Sequence, residues 1–219
     1  MSTETREIAI YGAGGFGREV ACLIRRISEA NPNETPWKLI GFFDDGVEAG
    51  TRNPYGEVLG GLDALNAFPR KLAVVMAIGT PRVLADLVGK IYNPNILFPN
   101  IFTQGAFQLD ATSNVLGRGN LVLDSCISPC VTLGDFNVLN RHVSVGHDAC
   151  IGNFNVFLPG AKISGYTQIG NRNLFGLNSG VFQGVKIGND TTIGGCSFVI
   201  RKTKDGQTYV GNPAILMRF

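Results

Sequence analysis

His147 and Asp148 stand side by side in the stretch Val145-Gly-His-Asp148, and no other pair in the chain is so suited to proton transfer. A neutral imidazole can take a proton from an amine or a hydroxyl near pH 7, and a carboxylate beside it orients the ring or raises its basicity. The chain has only two histidines, so each has to be accounted for. His147, followed at once by an acid, reads as a general base. His142 lacks that neighbour and reads as structural. A three-histidine zinc site cannot be assembled from two distinct positions. No Ser-His-Asp order and no reactive-cysteine context points to a covalent intermediate.

A second group of residues suits phosphate. Gly12-x-Gly14-Gly15-x-Gly17 follows the apolar run Ile8–Tyr11 and precedes a helical pattern. Glycine permits a tight turn and close approach to a phosphate, and the free N–H groups of a helix start attract its charge. The same string also fits a strand-to-helix turn that binds nothing. Asp44 and Asp45 end the next apolar run, where an acidic residue would meet a ribose hydroxyl. Gly17 and Asp44 lie farther apart than NAD sites require, and three strand-like runs make about half of a dinucleotide fold. The size suits a mononucleotide or a nucleotide sugar, and a nicotinamide oxidoreductase is disfavoured.

Two different periodicities must position these groups. From Leu109 to Val199 an apolar residue falls on every sixth position, among them Leu121, Ile127, Leu133, Leu139, Val145, Ile151 and Phe157. Neither a helix nor a two-sided strand requires that beat, whereas a parallel β-helix built of hexads does. Leu133-Gly-Asp-Phe-Asn137, Ile151-Gly-Asn-Phe-Asn155, Ile169-Gly-Asn-Arg-Asn173 and Ile187-Gly-Asn-Asp-Thr191 recur every eighteen residues, so one coil has three sides. Gly134, Gly152, Gly170 and Gly188 then form a column where special backbone angles are expected. Asn137, Asn155 and Asn173 form another, able to hydrogen-bond along the stack. The first coil is expected to be irregular, since Leu116-Gly117 precedes Gly134 by seventeen residues.

The first half reads as α/β, with strands over Glu7–Tyr11, Lys38–Phe43 and Leu72–Ile78. Helices are expected from Arg18 to about Ser28 and from Pro81 to about Ile91, and Asn93–Asn100 reads as a linker. The expected division is 1–98 for a Rossmann-like half domain and 99–219 for the solenoid and its tail. With 219 residues, 16% charged and a net charge of +2, the chain shows no basic stripe for nucleic acid. It has no apolar stretch long enough to span a membrane. The acidic start and the five cysteines, without a C-x-x-C pair, read as a reducing cytoplasm with the thiols as small buried fillers.

Gly12–Gly17, Asp44-Asp45, Ala77-Ile-Gly-Thr80, His147-Asp148 and the terminal Val210-Gly-Asn-Pro213 together resemble the hexapeptide-repeat sugar O/N-acyltransferases. That group includes sialic acid O-acetyltransferases and nucleotide-aminosugar N-acetyltransferases. The resemblance implies a left-handed β-helix, a homotrimer, and acetyl-CoA or another acyl-CoA as co-substrate in a groove between solenoids. It also implies direct transfer to a sugar amine in surface-polysaccharide or glycan synthesis, with His147 as base and Asp148 tuning it. Gly12, Gly14, Gly15, Phe16, Gly17, Asp44, Asp45 and Gly79 fall at the nucleotide-sugar end, and Asn140 falls near the acceptor. Val156, Gly165, Leu177 and Gly195 match positions that contact CoA, although ordinary coil packing would also account for them. Many relatives carry His where Phe16 stands, some N-acetyltransferases carry a second His where Val156 stands, and the neighbour at Asp148 is often Glu. Two alternatives remain at this level: O-acetylation of a sugar hydroxyl, as on sialic acid, and a non-catalytic nucleotide-sugar-binding scaffold.

Overall fold

The computed structural model describes residues 6–30 and 36–217, which fall into two compact units. The first comprises residues up to Gly79 together with Val83–Pro99, and the second comprises Thr80–Arg82 and the chain from Asn100 onward. Among the described residues no helix is long and apolar enough to cross a membrane.

The first unit is a six-stranded sheet rather than the three strands expected. In chain order its elements are β1 (Arg6–Tyr11), α1 (Gly15–Ala30), β2 (Trp37–Phe43), β3 (Arg52–Asn53), β4 (Gly56–Gly60), α2 (Leu62–Asn66), β5 (Leu72–Met76), α3 (Pro81–Lys90) and β6 (Ile96–Leu97). The sheet order is β3-β4-β2-β1-β5-β6, parallel except for the β3–β4 hairpin. β1 and β5 are wholly or nearly buried along their apolar runs, as the central strands of a parallel sheet must be. β4 escapes sequence reading because glycines bracket its short apolar core. The expected linker over Asn93–Asn100 is instead tied into the sheet. Ile96 pairs with Leu72, and the buried Asn93 amide donates to the carbonyls of Leu65 and Phe68.

The chain passes from β1 through α1 to β2 on one side, while β5 lies on the other side of β1. That reversal of direction opens a crevice at the carboxyl ends of β1 and β5, the usual ligand position in such sheets. Residues 12–17 and 77–81 leave the sheet at this point. The ladder continues one step past the strand ends, with Gly12 N–H donating to the Phe43 carbonyl and Ala77 N–H to that of Tyr11.

The second unit is a left-handed parallel β-helix with three faces of two-residue strands. One face runs through Leu121–Val122, Val138–Leu139, Val156–Phe157 and Leu174–Phe175. A second runs through Cys126–Ile127, Ser144–Val145 and Lys162–Ile163, and a third through Thr132–Leu133, Cys150–Ile151 and Gln168–Ile169. From the Val138 strand up to the Phe198–Val199 strand partners sit eighteen residues apart, as in Val138↔Val156 and Val156↔Leu174. The second residue of each strand points inward, and Leu139, Val145, Ile151, Phe157, Ile163 and their successors form one continuous core. The six-beat fails only at its beginning. Leu109 and Val115 are 61% and 64% exposed, because the first coil is out of step and Leu116 aligns with Leu133 in place of Val115. At the far end Thr208–Val210 pairs with Thr192–Ile193, and Ile215–Leu216 turns back antiparallel.

The corners carry a second regularity. Left-handed φ values occur at Asp124, Cys130, Phe136, His142, Asp148 and Phe154 and continue at six-residue steps to Cys196, with Gly160 and Gly184 in the series. A side chain in this region costs about 1 kcal/mol. Each corner is held by the coil below, as when Phe154 N–H donates to the Asp135 carbonyl.

The column of Gly134, Gly152 and Gly170 was expected to supply unusual angles, but these glycines are absent from the left-handed set. They are needed for space. A Cβ at Gly134 would run into Asn153 Oδ1 and come within 2.7 Å of the Gly152 carbonyl oxygen, and Gly152 and Gly170 meet the same crowding one and two coils on. The inner asparagine column behaves as expected. Asn137 Oδ1 accepts from the backbone and side-chain amides of Asn155, and Asn155 Oδ1 accepts likewise from Asn173. The thiols do not follow the expectation of burial: Cys130, Cys150 and Cys196 are exposed, two at corners and one on an outward strand position.

Candidate active site

His147 lies in the turn after the strand Ser144–Val145, and Asp148 occupies the left-handed corner that follows. The corner is pinned from both sides. Asp148 N–H donates to the Pro129 carbonyl one coil earlier, and the His147 carbonyl accepts from Tyr166 N–H one coil later, at 2.9 Å. The left-handed turn brings neighbouring side chains together, and His147 Nδ1 lies 2.8 Å from Asp148 Oδ2. A carboxylate can only accept, so the proton of this bond sits on Nδ1, and in the neutral ring Nε2 then carries the lone pair. Both side chains are about half exposed, so a reactant can reach the ring.

Gly165, one coil above His147, leaves the space the imidazole occupies. A Cβ there would lie 2.8 Å from His147 Cε1 and 2.9 Å from Nε2. Tyr166 follows, its ring edge-to-face with the imidazole at 5.0 Å between centroids. The sequence reading missed Tyr166. Its position eighteen residues beyond Asp148 is the signal that could have found it.

The remaining solenoid candidates are spread more widely. Asn140 and His147 stand at opposite ends of the strand Ser144–Val145, so one chain does not bring them to a single point. Asn140 Oδ1 accepts from Arg141 N–H, and its carbonyl accepts from Ser125 Oγ. Leu177 and Gly195 are neighbours in successive coils of the corner column that also holds Arg141, and Leu177 is half exposed. Val156 is 1% exposed, stacked in register between Val138 and Leu174, and so offers a ligand almost no surface in this chain. His142 is exposed at its own corner, where its carbonyl accepts from Lys162 Nζ.

In the first unit the glycines divide by role. Gly12 has φ +108°, and a Cβ there would come 2.8 Å from the Ala77 carbonyl oxygen; one at Gly17 would overlap the Gly12 carbonyl oxygen. These two let strand and helix pack. Gly14, Gly15 and Gly79 would meet nothing, so they border open space at the carboxyl end of the sheet. The first helical hydrogen bond runs from Arg18 N–H to the Gly14 carbonyl, so the amides before Arg18 begin the helix without such partners. Phe16 is half-buried in that first turn.

Asp44 and Asp45 have architectural partners where ribose contacts were expected. Asp44 accepts from Ala13 N–H and Gly46 N–H, both at 2.8 Å, which fastens the glycine turn to the end of β2. Asp45 accepts from the Tyr11 hydroxyl and from Leu62 N–H at the start of α2. Burial, reinforced by the bond to Asp45, pushes the Tyr11 phenol well above its ordinary range. It therefore serves as a fixed donor. Each carboxylate oxygen can accept more than one bond, so neither acid is saturated.

Residues 7–91 match the family model of the PglD N-terminal domain. Three solved structures match almost the whole chain. The acetyltransferase domain of PglB from Neisseria gonorrhoeae FA1090, solved with acetyl coenzyme A, has a TM-score of 0.86 at 26% identity over 98% of this chain and 100% of that one. WeeI from Acinetobacter baumannii AYE has a TM-score of 0.85 at 29% identity over 97% and 100%. PerB from Caulobacter crescentus, solved with CoA and GDP-perosamine, has a TM-score of 0.83 at 25% identity over 97% of each chain. No curated protein matches significantly. With a glycine turn in a parallel sheet followed by a His-Asp corner on a left-handed β-helix, the chain is similar over almost its whole length to sugar acyltransferases of the hexapeptide-repeat type.

Proposed function

We propose that the protein transfers an acetyl group from acetyl-CoA directly to the amino group of a nucleotide-linked sugar. The observation that carries this reading is the His147–Asp148 pair, with Nδ1 engaged by a carboxylate and Nε2 left to accept a proton on a half-exposed corner. The relatives solved with acetyl coenzyme A and with GDP-perosamine supply the two substrate classes. The amine attacks the thioester carbonyl, the new N–C bond forms and the C–S bond breaks. The proton lost by nitrogen passes to His147 Nε2 and from there to the departing CoA sulfur. Asp148 steadies the imidazolium in between, and the Gly165 N–H is our candidate donor to the developing oxyanion.

The nucleotide end of the acceptor sits over Gly14, Gly15 and Gly79, with Asp44 and Asp45 using spare acceptor capacity on the ribose. Asn140 and the Leu177–Gly195 corner complete the acceptor and CoA contacts across adjacent copies of a homotrimer. This accounts for their separation from His147 within one chain. The setting is the cytoplasm, where acetyl-CoA is available, and the product feeds polysaccharide or glycan assembly.

The test is His147→Ala, assayed by free-thiol release with acetyl-CoA and a panel of nucleotide amino sugars and their hydroxyl counterparts. Turnover is expected to fall about a hundredfold or more, with the oligomer intact by light scattering. Near-normal turnover would reject the base assignment. Activity confined to the hydroxyl acceptors would reject the amine.

A further inference from the structure

We infer that Tyr166 is a positioning residue that holds the imidazole of His147 in its reactive orientation. The inference rests on His147 being the base, and it adds a residue with no assigned role. Tyr166 occupies a solvent corner at 52% exposure and stands outside the solenoid core, so its ring does not serve to fill the interior. Its one aromatic partner among the described residues is His147, at 5.0 Å between centroids and an interplanar angle of 88°. Edge-to-face geometry of this kind is a preferred arrangement for aromatic pairs.

The contact answers a specific need. The imidazole is attached through Cγ and the bond to Asp148 holds the adjacent Nδ1, and a ring held at two neighbouring atoms on one edge can still tilt about the line through them. Gly165 closes one direction, since its Cα leaves just enough room beneath Cε1 and Nε2. The Tyr166 ring closes another. Its backbone is joined to that of the histidine, with Tyr166 N–H donating to the His147 carbonyl at 2.9 Å, so the two rings are referenced to the same rung. The coil above His147 thus supplies a glycine that admits the ring and an aromatic residue that stops it. The next residue in that corner column, Gly184, has no side chain to compete for the space. Since reaction depends steeply on the placement of the accepting atom, a loosened ring lowers the chemical step rather than binding.

The presence of only two histidines makes the test direct. Imidazole NMR signals can be assigned with His142→Gln and followed in the full-length protein. In Tyr166→Leu the His147 signals are expected to shift while those of His142 stay in place, which also reports that the solenoid is folded. In the same variant kcat is expected to fall about ten- to a hundredfold. KM for acetyl-CoA and for the sugar should stay within about twofold, and Tyr166→Phe should restore both the signals and the rate, since the ring makes the contact. Gly165→Ala, whose Cβ would crowd Cε1 and Nε2, should also move the His147 signals.

Unchanged His147 signals with wild-type kcat in Tyr166→Leu would overturn the inference, as would a Tyr166→Phe enzyme no better than the leucine variant. If His147→Ala keeps its turnover, the base reading fails separately. The imidazole signals still decide whether Tyr166 positions the ring.

Discussion

Replacing Asn155 by alanine tests how the solenoid holds its corners in register. Asn155 is fully buried, and its side chain makes contacts in two directions. Nδ2 donates to Asn137 Oδ1 and to the Gly170 carbonyl, both at 3.0 Å, while Oδ1 accepts from the backbone and side-chain amides of Asn173, both at 2.9 Å. Truncation leaves the Gly170 carbonyl and the two Asn173 donors without these partners, in a place where a methyl group offers nothing. Each buried group left unsatisfied costs about 1–3 kcal/mol. At the low end the three together cost about 3 kcal/mol. For a chain of this size that corresponds to a fall of roughly 6–12 °C in Tm. The assay is thermal unfolding followed by circular dichroism, with Gln168→Ala on an exposed strand position as the control, expected within about 0.5 kcal/mol. Asn155→Asp, nearly the same in shape, should be worse than alanine, because it loses both donors and sets a carboxylate against two oxygen acceptors. A Tm for Asn155→Ala within about 1 °C of the control would refute the view that the ladder stabilises the stack.

Two further outcomes follow from the geometry. Gly17→Ala places a Cβ on the Gly12 carbonyl oxygen and is expected to destabilise the first unit by about 2–3 kcal/mol, read by urea titration of the isolated change against Gly14→Ala, which meets open space. Asp190 is held below the usual carboxylate range first by its bidentate bond to Arg172, at 2.8 and 2.9 Å. A depressed folded pKa contributes stability that is present above the unfolded value and lost as pH falls through the folded one. Asp190→Asn should therefore cost about 1 kcal/mol at pH 7, and the gap to wild type should close below about pH 4. A gap that did not narrow at all as the pH falls below about 4 would show that the pair does not act through charge.

The hexad beat was readable because one inward position per face must be apolar in every coil, whatever its neighbours are. Its slip at Leu109 and Val115 was harder to see, since both are apolar and only the pairing of Leu116 with Leu133 shows which residue turns inward. The same holds in the first unit. β1, β2 and β5 announce themselves as apolar runs, whereas β4 and β6 are short strands whose apolar residues are ordered by the neighbours they join. At the site, His147 and Asp148 are adjacent in sequence and needed no fold to be paired. Tyr166 and Gly165 meet them only because the chain returns after eighteen residues.

Local periodicity alone determined that the second half is a three-sided solenoid and that the first half turns on glycine before a helix. Both follow from rules that act along a few residues: which side chains face inward, and which backbone can bend. The tertiary structure decided what those residues do. It engaged Asp44 and Asp45 in holding loops, made the column of Gly134, Gly152 and Gly170 a matter of space instead of angle, and set an aromatic ring from the next coil against the imidazole. These are contacts between segments distant in sequence, and residue type sets their strength while only the folded path sets who meets whom.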